Sequence, residues 1–182
     1  MKIAFVDIKY CLMHCFSFIF QTKEKRVGRL LIKNKLNIST SESCTGGLIS
    51  SRLTDISGSS AYIMQNFVTY ANSAKIELLG VRTKTIEQFG VVSEEVAKEM
   101  AEGLIKKYGC DIALSTTGIA GPTGSTKNKP VGLVCICVAD KNIQKTYSYK
   151  ANPHLTRRLM KYEFSDKALE YLIKFLEKCY EK

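Results

Sequence analysis

An α/β layered fold is predicted by three features of the chain. Segments rich in β-formers alternate with segments of helical period. Residues 131–139, VGLVCICVA, are apolar almost throughout, as strands covered on both faces are. Residues 94–108 form the clearest helix: Ser93 stands at the cap, Glu94 and Glu95 in the first turn, Lys106 and Lys107 in the last, and Gly109 just beyond.

Residues 23–36 read as an amphipathic helix, with Val27, Leu30 and Leu31 on one side and basic residues around the rest. Asn37 to Ser41 is a short strand running into a tight turn, Glu42-Ser43-Cys44-Thr45-Gly46-Gly47, and then into the helical pattern LISSRL. Residues 62–70 are a strand by their β-formers. Asn72 is the expected N-cap of a short helix that runs to about Leu79 and closes at Gly80. After the 94–108 helix, Asp111 to Thr117 is a buried strand, and 118–130 is a polar loop of glycine, proline and threonine. Residues 131–139 and 143–149 pair as strands, and a helix runs from about Leu155 to Cys179 on Leu169, Leu172, Ile173 and Leu176.

The 182 residues, 45% of them apolar and 24% charged, suit one globular domain and exclude wholesale disorder. Residues 23–182 are taken as that domain and 1–22 as an N-terminal arm of unassigned order. No apolar stretch reaches the roughly 18–20 residues of a membrane span. The richest, Cys11 to Phe20, is interrupted by His14, and Asp7 and Lys9 spoil residues 1–20 as a signal peptide. A cytoplasmic protein without a membrane partner is expected. The net charge of +10 lies at the ends: residues 1–37 carry 8 basic and 2 acidic side chains, 141–182 carry 10 and 5, and 38–140 carry 9 and 10. The basic residues are scattered and lack interleaved aromatics, so solvated helix faces are favoured over a nucleic-acid surface. Seven cysteines and two histidines lack metal-ligand spacing, so neither a metal nor a disulfide framework is expected, and Cys135 and Cys137 share one strand face as small core hydrophobes.

Three clusters can carry chemistry. Ser43, on a strand-to-helix turn, can present its hydroxyl at the top of a sheet, with backbone N–H groups around Cys44, Thr45, Gly46 and Gly47 facing an oxyanion or phosphate. A simple capping serine is the bland alternative. In Tyr70-Ala-Asn-Ser-Ala-Lys75, the lysine falls at the third helical position, where the dipole would lower its pKa and fit it to deprotonate a serine, with Tyr70 relaying or orienting the proton. A surface lysine beside a half-buried tyrosine is the alternative. The loop 116–132 holds four glycines, two prolines and two lysines at a strand's carboxyl end, where α/β proteins bind ligands, or else it is a plain long connection.

Read together, S-E-S-C-T-G-G, L-T-D-I-S-G-S-S-A, F-V-T-Y-A-N-S-A-K-I-E-L-L-G-V, G-V-V-S-E-E-V-A-K-E-M-A and T-G-I-A-G-P…K-P-V-G resemble the CinA carboxy-terminal domain family over residues 25–175. The resemblance implies a three-layer α/β/α sandwich on a mixed sheet. It implies a nicotinamide-nucleotide amidase, which hydrolyses the carboxamide of nicotinamide mononucleotide to nicotinate mononucleotide and ammonia without metal or cofactor. By motif position it implies Ser43 as nucleophile, assisted by Tyr70 and Lys75. The turn Cys44 to Gly47 and the loop residues Gly118, Ala120 and Gly121 would bind substrate, with Lys129 a candidate phosphate partner. In the segment Asn152-Pro153-His154, followed four residues on by Arg158, His154 stands where the family has an arginine, a weaker and pH-dependent anion partner that Arg157 or Lys150 would have to compensate. Many relatives carry a large domain in front, whereas only residues 1–22 stand there in this sequence, so a stand-alone domain is expected, one compatible with a homo-oligomer. The rival expectations are a nucleotide-binding module without turnover and a competence-linked nucleic-acid accessory protein.

Overall fold

The computed structural model describes residues 22–181. Helix α1 (Lys23–Lys33) is capped by Thr22, whose hydroxyl accepts the Lys25 N–H. Then follow β1 (Ile38–Glu42), α2 (Leu48–Thr54), β2 (Ile63–Val68), α3 (Asn72–Leu79), α4 (Thr83–Phe89), α5 (Glu94–Tyr108), β3 (Ile112–Gly118), β4 (Leu133–Ala139), β5 (Gln144–Lys150) and α6 (Arg157–Tyr180). The expected strands and helices are present within a residue or two, except that the first helix ends at Lys33, three residues before the expected end. Helix α4 was not foreseen. Asn72 is not the cap of α3: Ala71 takes that place, and Asn72 becomes the first helical residue.

The sheet has five strands in the order β2-β1-β3-β4-β5. β2, β1 and β3 run parallel, and β4 and β5 are added antiparallel. Helices cover both faces. Along β4, Val134, Ile136 and Val138 meet α1, α2 and α6, where Leu31, Leu53, Phe164, Leu169 and Leu172 are wholly buried. The alternate residues Cys135, Cys137 and Ala139 meet α5 and the end of α3 through Met100, Leu104 and Leu79. This two-sided cover is why β4 reads as an unbroken apolar run. Each such Leu or Ile contributes roughly 1.5–3 kcal/mol by leaving water. Arg52 of α2 ties the first layer together, reaching Glu24 of α1 at 2.5 Å and Ser165 of α6 at 2.7 Å.

β1 differs from β4. It too is buried along its whole length, but it reads Ile-Ser-Thr-Ser-Glu. Two of its three hydroxyls are paired with side-chain oxygens, Thr40 with Ser50 at 2.8 Å and with Asn66 at 3.0 Å, and Ser41 with Thr69 at 2.9 Å, while the buried Ser39 hydroxyl has no such partner among the described residues.

Helices α3 and α5 cross with no side chain between them at Gly103. A Cβ there would stand 2.0 Å from the carbonyl oxygen of Leu79. Gly103→Ala is therefore expected to destabilise the protein by about 2–3 kcal/mol, because the backbones must part and the roughly 1 kcal/mol gain in helix propensity does not offset this. Urea denaturation checks it: an unchanged midpoint would mean the crossing is not this close.

Candidate active site

Strands β2, β1 and β3 are parallel, so their carboxyl ends open onto one edge of the sheet, where α/β folds bind ligands. β1 delivers Ser43, β2 delivers Thr69 and Tyr70 and then Lys75 on α3, and β3 delivers the loop from Gly118. The Ser43 N–H donates to Thr116 O at 3.1 Å, which carries the β1–β3 ladder one residue past the strand. The chain then turns through Gly46 (φ 60°) and Gly47 (φ 86°), a left-handed path suited to glycine, into α2. Thr45 is buried, with its hydroxyl 3.0 Å from that of Thr116.

Lys75 is wholly buried. Its Nζ lies 3.1 Å from Ser43 Oγ, 2.7 Å from Thr69 O and 3.0 Å from Tyr70 O. Burial lowers its pKa from 10.5 to about 8. Burial, not invoked from the sequence, is thus the main cause, and with Ala71 as cap Lys75 sits at the fourth helical position, one residue further from the helix start than expected. The geometry accommodates both charge states. Protonated, the ammonium has three N–H groups for three acceptors. Neutral, the amine gives two N–H groups to the two carbonyls and aims its lone pair at the Ser43 hydroxyl, the arrangement of a general base. The Cys44 thiol is buried and pushed up to about 12, so it stays protonated beside Ser43.

Tyr70, expected to relay or orient the proton, has its hydroxyl engaged by another residue. Tyr70 is 59% exposed, and its phenolic oxygen accepts from Arg157 Nη2 at 2.8 Å. Only its backbone carbonyl touches Lys75. Arg157 is the first residue of α6, after the cap Thr156, and its Nη1 donates to Gly121 O at 2.7 Å. Ser43, Tyr70, Lys75 and Arg157 line one cavity of 320 Å³, with Asn72, Cys44, Gly118 and Ala120 among the other walls. Gly118 has no room for a side chain: a Cβ would lie 2.6 Å from Leu133 O and 3.0 Å from Cys44 Sγ.

Other expected positions lie elsewhere. Lys129 reaches back to the Phe89 carbonyl and does not line the cavity, because the loop folds against Gly90. His154 and Arg158 are exposed and also outside its wall. Successive helical residues point about 100° apart, so α6 turns Arg157 inward and Arg158 away. Arg157 is thus the arginine at the cavity, and the sequence reading gave it only a compensating part. The Thr156 cap signature ahead of the last helix was the clue to it. Among the four turn residues, Cys44 lines the cavity and Thr45, Gly46 and Gly47 do not.

The anion-binding expectation for that turn also narrows. The Gly46 and Leu48 amides bond to Ser43 O and Thr45 O, and the amides of Ile49 and Ser50 bond to the Glu42 carboxylate. The amides of Thr45 and Gly47 have no acceptor among the described residues, and that of Cys44 meets only its own thiol. A larger depression of 580 Å³ between α3 and α5 is lined by charges that neutralise one another, such as Arg82 with Glu99 and Lys106 with Glu102. No helix among the described residues is long and apolar enough to cross a membrane.

Comparison with known proteins agrees with the fold. The chain is 49% identical over 159 residues to a CinA-like protein of Chlorobium limicola, covering 86% of this chain but 37% of that protein's length. Among solved structures it matches a CinA superfamily protein of Klebsiella pneumoniae with a TM-score of 0.81 at 28% identity, covering 87% of this chain and 99% of that one. It matches the competence/damage inducible protein CihA of Agrobacterium tumefaciens with a TM-score of 0.78 at 38% identity, covering 86% and 97%. The family described as the CinA C-terminal domain covers residues 20–176, and this chain belongs to it.

Proposed function

We propose that this domain is an amidase that hydrolyses the carboxamide of nicotinamide mononucleotide, giving nicotinate mononucleotide and ammonia and serving pyridine-nucleotide salvage in the cytoplasm. The observation that carries the reading is the buried, pKa-lowered Lys75 amine 3.1 Å from Ser43 Oγ at the floor of a cavity. A surface lysine would have neither the burial nor the serine.

In this mechanism neutral Lys75 takes the Ser43 proton as Oγ attacks the amide carbon. The negative charge that develops on the carbonyl oxygen is met by amides free for it at the Cys44 turn. Collapse of the tetrahedral intermediate breaks the C–N bond, and the Lys75 ammonium returns the proton to the leaving nitrogen, which departs as ammonia. Lys75 then deprotonates a water that attacks the ester carbon, and the acid leaves with Ser43 restored. Tyr70, exposed on the wall, offers its ring face to the pyridine. Arg157 offers its guanidinium to the phosphate, and Lys161, one turn further along α6, stands behind it beside Gly46.

The direct test is ammonia release from nicotinamide mononucleotide by the purified chain. Saturable binding of the nucleotide without ammonia would replace the amidase reading with that of a binding module. Arg157→Met is expected to raise KM for the nucleotide about 10–100-fold, with kcat within about threefold, since a charge-assisted contact to phosphate is made equally in the ground and transition states. An unmoved KM would take the phosphate away from Arg157.

A further inference from the structure

Glu42 takes no part in the chemistry above, yet its side chain is wholly buried. Both carboxylate oxygens are engaged. Oε2 accepts the Ile49 N–H at 3.0 Å, and Oε1 accepts the Ser50 N–H at 2.8 Å and the Ser50 hydroxyl at 2.6 Å. Burying a carboxylate on uncharged donors is costly. The three converging donors explain the choice of residue, because only a carboxylate accepts at both of its polar atoms and donates at neither.

The backbone of the same residue holds the other half of the site. Its carbonyl accepts the Thr69 N–H at 2.9 Å, and the Thr69 carbonyl in turn seats Lys75 Nζ at 2.7 Å. The next residue is Ser43. Glu42 is therefore the point where the start of α2, the seat of the lysine and the serine are joined.

We propose that Glu42 is a positioning residue: by fastening the start of α2 back onto the end of β1, its carboxylate holds the Ser43 turn at working distance from Lys75. The proposal rests on Ser43 as the nucleophile and not on the identity of the substrate, so its test includes a substrate-independent probe. A fluorophosphonate ester suits this. Ser43 Oγ forms a bond to phosphorus, fluoride leaves, and the hydroxyl proton goes to Lys75.

Glu42→Gln keeps the shape but sets an N–H₂ group against a donor. At saturating probe, its first-order rate constant for labelling Ser43 is expected to fall about tenfold or more, with the final labelled fraction unchanged, because small displacements of reacting groups are costly. The kcat for nicotinamide mononucleotide should fall by a similar factor, with KM within about twofold. A wild-type rate constant with a smaller labelled fraction is the mark of a merely structural role and would overturn the proposal. If Glu42→Gln is insoluble, Ser50→Ala decides, since it removes one donor and spares both amides. Slowing of about threefold or more supports the clamp, and an unchanged rate constant overturns it. Wild type labelled at Ser43 but inert toward the nucleotide would overturn the substrate reading and leave the labelling comparison intact. Wild type that is not labelled at all would overturn both.

Discussion

Ser43→Ala is expected to lower kcat for nicotinamide mononucleotide by about 10⁴-fold or more, with KM and thermal stability close to wild type. The loss should be this large because in the proposed mechanism Oγ is the atom that forms the acyl bond, and no neighbouring group can take its place. The nearest thiol, Cys44, is buried and held protonated, so it supplies no thiolate. The change should cost little stability. Ser43 is only half-buried, its N–H bond to Thr116 O belongs to the backbone, and Lys75 keeps both carbonyl partners. Steady-state ammonia release, with intact mass after rapid quenching of wild type, checks the point. An acyl adduct on Ser43 is expected, and residual activity in the alanine variant within about tenfold of wild type would exclude Ser43 as nucleophile.

Lys75→Met should lower kcat by about 10³-fold, within the range of a positioned general base, and should also change the pH profile. Only the neutral amine can accept the Ser43 proton. Because burial lowers the lysine to about 8, wild-type kcat/KM should rise with pH through a midpoint near 8 and then level off. A lysine at its ordinary value would place that rise more than two units higher. In Lys75→Met the rising limb should vanish and the residual rate run flat, since methionine keeps the length of the stem but carries no proton. Profiles of both proteins from about pH 6 to about pH 10 decide it. A limb that survives in the variant would belong to another group and remove Lys75 as the base.

The fold was legible because the layers leave different marks. β4, covered on both faces, is apolar throughout, and α5 announces itself by its Ser93 cap, its end charges and Gly109. Helix α4 left no such mark. It has seven residues, and Thr85 is its one buried side chain, so no helical stripe of apolar residues exists to be read. The cap of α3 was misplaced by one residue because Ala71 caps it through backbone conformation alone, without a side-chain bond. At the site, Ser43 could be picked out because it follows directly on the end of β1, and Lys75 because it lies in the short helix α3 that follows β2, so the backbone fixes the direction of each. Tyr70, Lys129, His154 and Arg158 could not be placed in this way. They are long or exposed side chains on loops or at a helix start, and where they point depends on contacts distant in sequence, such as Tyr70 with Arg157 and Lys129 with Phe89.

The hydroxyl pairs of β1 have a further consequence for the centre of the sheet. A strand covered on both faces by apolar layers can slide by two residues and still bury much the same surface, so an all-apolar β1 would specify its alignment weakly. The Thr40 pairs with Ser50 and Asn66 and the Ser41 pair with Thr69 exist in one alignment alone, and any slip strands buried oxygens without partners. The strand leading to the serine thus gives up hydrophobic burial for uniqueness of address. Its polar residues add little to how tightly the chain folds and much to how singly it does so.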